Sequence, residues 1–385
     1  MKIKWVIFVV LVASLVLVLN SGSVAVNTGD VDRVRLKRVL DDQDLKIIDD
    51  FLADAIQELV GTRDLTEIAK RRTVILSRQS STQAQQAQYA QQFSESARRH
   101  IAEGFRDADD LSRMERVTAV KINLLILIDG LHDLGLADQA IAMLKNENMV
   151  TRYWAVHCLT NPEIITQLNA AIASNANQAS AIAGQLKDIV ETSSPEIAVM
   201  IARFAADVKI PEAEQLLYQI ADMRIKRYAD WTVKYELYDS TILKLLANKI
   251  PLPSVSPAGT IPTPTSTKPA VARRFAQLYS YAIQRYSKGR DFLNDIQKGH
   301  LVTVLIETED KCLGRLLGKP QLTIRRALER NNVPAVLAEH DRLLGTTATP
   351  GQLPATLNFD YGTTTTGPKR TAPLPLPDPP TKNDN

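Results

Sequence analysis

The stretch MLKNENMVTRYWAVHCLTNPEII, residues 143–165, sets His157 beside Cys158 inside an apolar run. Adjacent side chains on a helix point about 100° apart, so these two cannot easily share a ligand or act as nucleophile and base. The spacing predicts a repeat. Leu144 ends one helix, Asn146, Glu147 and Asn148 form a polar turn, and Arg152, Ala155 and Leu159 fall three and four apart on the next helix. Trp154 and Cys158 are expected to face the core, with His157 at its margin. Asn161 then caps a helix opening Pro162-Glu163, where a first-position proline and an early acid suit the free amides and the helix dipole.

That opening recurs at Pro195-Glu196, behind a Ser194 cap, and at Pro211-Glu212, giving spacings of 33 and 16 residues. A helix with its turn is half of a helical hairpin of about 30–45 residues, so both spacings fit an array of hairpins. MLKNENMVTRYWAVHCL is the best unit and SPEIAVMIARFA a weaker one. On these residues the stretch 137–250 resembles the HEAT repeats, helical hairpins that stack into α-solenoids. In the weaker unit Ala198 takes the family's arginine position, and Thr151 stands where the family prefers valine. The resemblance implies a protein-binding scaffold rather than a catalyst.

Elsewhere the body also predicts helix, and the fold class is all-α. Aromatics make up 5% of the chain and glycines number 16, while 45% of residues are hydrophobic, enough for a sizeable core. DQDLKIIDDFLADAIQELVG places Leu45, Ile48, Phe51, Leu52, Ile56 and Leu59 on one face, with Gly61 as C-cap and Asp64 capping the next helix. STQAQQAQYAQQFSESARRHIAEGF reads as an exposed or coiled-coil-like arm. LSRMERVTAVKINLLILIDGLHDLGL, apolar nearly all round, reads as a deeply buried helix.

The N-terminus carries Lys2 and Lys4 and then the 15 apolar residues from Trp5 to Leu19, followed by NSGSVAVN. This is the plan of a signal peptide, 1–25, with Ser23 and Ala25 as the small residues before cleavage. An uncleaved anchor is the alternative, and it would be the only membrane attachment. Either places the rest outside the cytoplasm. Cys158 and Cys312 are too few for a disulfide framework, leaving one bridge or two buried thiols.

Six of the 19 prolines lie in 251–269 and eight in 346–385. The division expected is therefore an N-terminal helical segment 30–135, repeats 136–250, a Pro/Thr linker 251–270, a separate basic helical domain 271–345 and a disordered tail 346–385. Within 271–345, HLVTVLIET is open between strand and helix.

No metal, cofactor or phosphate-loop pattern appears, and no catalytic residue is nominated. Asp129 and Asp133, four apart, read as a solvated helix edge. Two candidate surfaces remain. Tyr228, Trp231, Tyr235 and Tyr238, spaced as on a helix, form an aromatic stripe that would bind a partner if exposed. Arg273, Arg274, Arg285, Lys288 and Arg290 form a basic patch interleaved with aromatics. With 46 basic against 43 acidic residues, and behind a signal peptide, no nucleic acid is expected. The partners expected are another envelope protein or an anionic polymer. An enzyme of unrecognised family stays open as the further alternative.

Overall fold

A computed structural model describes residues 28–79, 87–170, 172–252, 269–363 and 369–380. The signal segment 1–25 and nearly all of the Pro/Thr linker lie outside them. Among the described residues helix is the only extended regular structure, apart from two isolated bridges, Gly345 with Pro350 and Thr363 with Lys369. No helix there is long and apolar enough to cross a membrane. The chain divides into two compact units, ending at Cys158 and beginning at Leu159, rather than at 136 and 251–270.

The first unit contains α1 (Thr28–Val34), α2 (Asp42–Gly61), α3 (Leu65–Leu76), α4 (Ala87–Asp109), α5 (Met114–Leu131) and α6 (Ala137–Met143), and the unit boundary falls within α7 (Met149–Thr160). A reciprocal cap starts α2: Asp41 accepts from the Asp44 amide at 2.9 Å and Asp44 accepts from the Asp41 amide at 3.2 Å. Ile48, Phe51, Leu52, Ile56 and Leu59 are then buried, with α4 packed alongside. Asp64 caps α3 as expected, and α5 buries Val117, Val120, Leu124, Leu125, Leu127, Ile128 and Leu131. The Gln/Ala stretch, however, is not an exposed arm over its described part. Tyr89, Phe93, Ala97, Ile101 and Phe105 recur at helical spacing along α4 and are all buried. One anchor per turn suffices, since each large side chain contributes about 1.5–3 kcal/mol when removed from water.

The second unit runs through α8 (Pro162–Ala170), α9 (Ile172–Ile189), α10 (Pro195–Asp207), α11 (Pro211–Ala229) and α12 (Asp239–Lys249) to α13 (Pro269–Lys288). It continues as α14 (Asp295–Thr308), α15 (Gly314–Leu317), α16 (Thr323–Glu329), α17 (Val333–Leu344) and α18 (Gln352–Leu357). Asn161 caps α8 and Ser194 caps α10, both as expected. HLVTVLIET is helical, forming most of α14.

Two expectations are corrected here. The segment from 271 is not a separate domain: every side chain from Phe275 to Tyr286 is buried, and α13 packs against α11, α12, α14 and α17. A helix with apolar and aromatic residues all round has to be covered on every side. Nor is the tail disordered over 346–363 and 369–380. Phe359, Tyr361 and Leu376 are buried, and Tyr361 donates its hydroxyl to the Leu344 carbonyl at 2.9 Å. Sparse anchors and side-chain donors from the body offset the ordering entropy that its composition alone would not. The turn starting the tail depends on Gly345, at φ +100°, and Gly351. A Cβ on either would collide with backbone of the other strand of the turn.

Candidate functional site

The aromatic stripe is not a helix face. The helix α11 stops at Ala229, and Trp231 and Tyr235 both adopt φ +56°, a left-handed conformation that costs a bulky residue roughly 1–2 kcal/mol. Thr232 and Val233 fold back so that both amides donate to the Arg227 carbonyl, at 2.9 and 3.1 Å. A short 3-10 turn, Glu236–Tyr238, then leads into α12.

Two buried ion pairs hold this loop. Arg224 grips Asp239 through two parallel bonds, Nε to Oδ1 at 2.7 Å and Nη2 to Oδ2 at 2.8 Å, and donates from Nη1 to the Lys234 carbonyl at 3.1 Å. Tyr228 donates its hydroxyl to the same carboxylate at 2.7 Å; burial, and then the charge of Asp239, push that phenol well above its ordinary range. Arg285, 1% exposed, donates from Nη2 to Glu236 at 3.2 Å and to the Val233 carbonyl at 3.4 Å. Its guanidinium lies 5.1 Å from the Trp231 ring centre, and its Nε and Nη1 make no hydrogen bond. Charges buried this deeply persist only when well paired, so much of the local energy is committed to one loop shape.

Besides the polar Asp230, Thr232 and Lys234, the loop exposes two large apolar side chains. Tyr235 is 54% exposed and Leu237 42% exposed, whereas Tyr228 and Trp231 are buried and Tyr238 is half-buried. Tyr238 donates to Glu196 at 2.8 Å, and burial together with that bond lifts its hydroxyl to about 12. The helix α14 packs on the Glu236–Tyr238 turn and brings Ile296, 70% exposed; Phe292 meets Trp231 edge to face at 5.7 Å.

The basic patch is not one exposed surface: Lys288 and Arg290 are exposed, Arg273 and Arg274 are half-buried, and Arg285 is buried. Arg273 bonds Asp360 at 2.6 Å, Arg274 bonds Asp222 at 2.8 Å while lying over the Tyr218 ring, and Arg285 is buried as described. Lys288 pairs with Asp378 at 2.9 Å and Arg290 donates to Asn331 at 3.0 Å. Acids from distant parts of the chain neutralise four of the five cations, and Arg290 is held by a neutral amide.

Beneath the tail, Ser280, His340 and Asp341 line up as in a hydrolase triad. Ser280 Oγ lies 2.8 Å from His340 Nε2, and His340 Nδ1 lies 2.8 Å from Asp341 Oδ1. Ser280 is fully buried in mid-helix, though, and its Oγ also accepts from Gln284 at 2.8 Å. The chain of bonds therefore orients the Gln284 amide; it presents no nucleophile.

In the first unit, His157 pairs with Asp129 at 2.9 Å and packs its ring on Trp154, which is only half-buried, not a core residue as expected. The Asp129 bond raises the His157 pKa against a smaller opposing effect of burial. Cys158 and Cys312 are both free and buried; burial pushes the Cys312 thiol up to about 11, so neither is a reactive thiolate. A cleft of about 610 Å³ in this unit is lined by Asp109 and Lys121, which pair with each other. Among the described residues no three His, Cys, Asp or Glu gather as for a metal.

Sequence reasoning missed Arg224, Glu236, Asp239, Ser280 and His340. One signal was present: Glu236 and Asp239, three apart inside an aromatic stretch where solvated acids have little reason to sit. No family model matches this chain, and no curated protein or solved structure matches it.

Proposed function

We propose that the chain is an exported, non-enzymatic protein-binding scaffold or assembly factor of the cell envelope, engaging its partner through the loop 230–238. One observation carries this reading: Tyr235 and Leu237 are exposed on a strained backbone held by two fully buried ion pairs. Strain and buried charge are costly, and here they serve to hold an aromatic side chain out in water. A preorganised exposed tyrosine beside leucine is the composition of an interface hot spot, because little entropy remains to be lost on binding.

The HEAT resemblance over 137–250 supports the same reading, since such arrays work as binding surfaces. Export rests on the plan of residues 1–25. The anionic-polymer alternative loses its support, because Arg273, Arg274, Arg285 and Lys288 already have acidic partners.

The test is a crosslinked pull-down of the full chain from the envelope fraction of its own cells, beside Tyr235→Ala, Leu237→Ser and Arg290→Ala. The reading expects one dominant protein partner, lost in the first two variants and kept in the third. A partner retained by Tyr235→Ala and Leu237→Ser, or enrichment of a polymer only, overturns it. N-terminal sequencing of the exported chain should begin at Val26.

A further inference from the structure

Residues 371–380, TAPLPLPDPP, are held against α13 mainly through their backbone. Gln277 reads Leu374 twice, donating from Nε2 to its carbonyl at 3.1 Å and accepting its amide on Oε1 at 2.8 Å. Gln284 accepts the Leu376 amide at 2.8 Å. Lys288 donates to the Leu376 carbonyl at 2.6 Å and pairs with Asp378, and the Trp231 indole N–H donates to the Pro377 carbonyl at 3.0 Å.

Gln277, Gln284 and Lys288 stand seven and four residues apart, on one face of α13. Both glutamines are 9% exposed, and the bond chain from Asp341 through His340 and Ser280 sets the Gln284 amide in place. The segment itself contributes two buried side chains, Pro373 and Leu376; Leu374 is 46% exposed. With proline at 373, 375 and 377, the only amides between Pro373 and Pro377 belong to Leu374 and Leu376, and the face accepts both.

We propose that this face of α13, with Trp231, is a binding site for proline-rich peptides of the form Pro-Leu-Pro-Leu-Pro-acidic on a partner protein, occupied by residues 371–380 until a partner displaces them. Prolines hold φ near one value, so a segment of this kind loses little freedom on docking. Its carbonyls are strong acceptors, its alternate residue fills a pocket, and an aromatic N–H and polar side chains read the rest; this is how proline-rich ligands are generally recognised. The acid that follows finds Lys288. None of these contacts is specific to the chain's own covalent link, so a separate molecule with the same pattern makes them equally well. The site uses contacts other than Tyr235 and Leu237, and its failure leaves the reading of the interaction loop untouched.

The probe is fluorescein-labelled TAPLPLPDPP, titrated by anisotropy against the full chain. In the wild type the tethered segment competes at an effective concentration in the millimolar range, so the probe binds weakly. Leu376→Asp removes the internal anchor and should tighten probe binding at least tenfold, roughly the advantage that tethering gives the competitor. Adding Gln284→Ala to that variant should remove the gain. Asp378→Lys, at an 89% exposed side chain facing Lys288, loosens the tail without touching the core and should give a smaller gain in the same direction.

Equal affinity for the wild type and Asp378→Lys, or no binding to a Leu376→Asp chain that keeps its native circular dichroism, overturns the proposal. So does a concentration-dependent dimer of the wild type that Leu376→Asp lacks, since the occupant would then be the tail of a second copy.

Discussion

Both units carry part-exposed ion pairs, but the second also withdraws two pairs from solvent. In the first, ion pairs such as Arg98 with Asp133, at 2.6 Å, and His157 with Asp129 lie at helix edges, with one partner or both partly in water. Asp133 also accepts the Gly135 amide at 2.9 Å beside left-handed His132, and that turn is held without a fully buried charge pair. In the second, Arg224 with Asp239 and Arg285 with Glu236 are withdrawn from solvent and surround a loop with left-handed residues. The difference teaches that a buried ion pair marks where the backbone departs from regular structure, and there the molecule has been shaped for something besides stability.

The comparison breaks most readily at Asp239. Replacing Asp239 by Ala leaves Arg224 buried and unpaired, and should cost about 3–5 kcal/mol in urea unfolding. Asp133→Ala, at the edge of the first unit, should cost no more than about 1 kcal/mol. Equal losses would erase the distinction. A double replacement sharpens it: Arg285→Met and Glu236→Leu should each destabilise by about 3 kcal/mol, while the pair together should return to within about 1 kcal/mol of the wild type.

At Tyr235, Gly should relieve the left-handed strain and raise stability by up to about 1 kcal/mol while abolishing partner capture. A loss of stability there would mean that the phenol ring, not the backbone, holds the loop.

A smaller effect is expected at His157. Its pKa in the folded chain is raised above 6.5 by the bond to Asp129, so its contribution is full below that pH and fades as pH rises through the folded value. The unfolding midpoint of the wild type should therefore fall across that window relative to Asp129→Asn, which should be flatter. Least of all is expected from a fluorophosphonate probe for reactive serines, which should leave the full chain unlabelled. Labelling that disappears in Ser280→Ala would turn the Ser280, His340 and Asp341 arrangement into a hydrolase site.

Local features were legible in the sequence. Caps at Asp64, Asn161 and Ser194 and the all-round apolar α5 follow from neighbours within a few residues, where helix geometry dictates the outcome. What failed was non-local. Nothing near Arg273 announces Asp360, 87 residues away, so an interleaved basic and aromatic run resembled a surface when it was the centre of a unit. The stripe from Tyr228 to Tyr238 has helical spacing, yet the backbone turns at Trp231 without a glycine or proline to flag it. The tail's composition predicted disorder because a composition does not count the donors that another helix supplies.

The indole of Trp231 waits for a carbonyl 146 residues further along the chain. At synthesis rates of about 5–20 residues per second, roughly seven to thirty seconds separate the two partners' appearance. Once Gln277 and Gln284 have been made, they and the indole lack residues 371–380 for the rest of that interval, and a proline-rich neighbour meets them without that competitor. The closing of this groove is thus a clock as well as a contact: a docked segment reports that synthesis has passed Pro377.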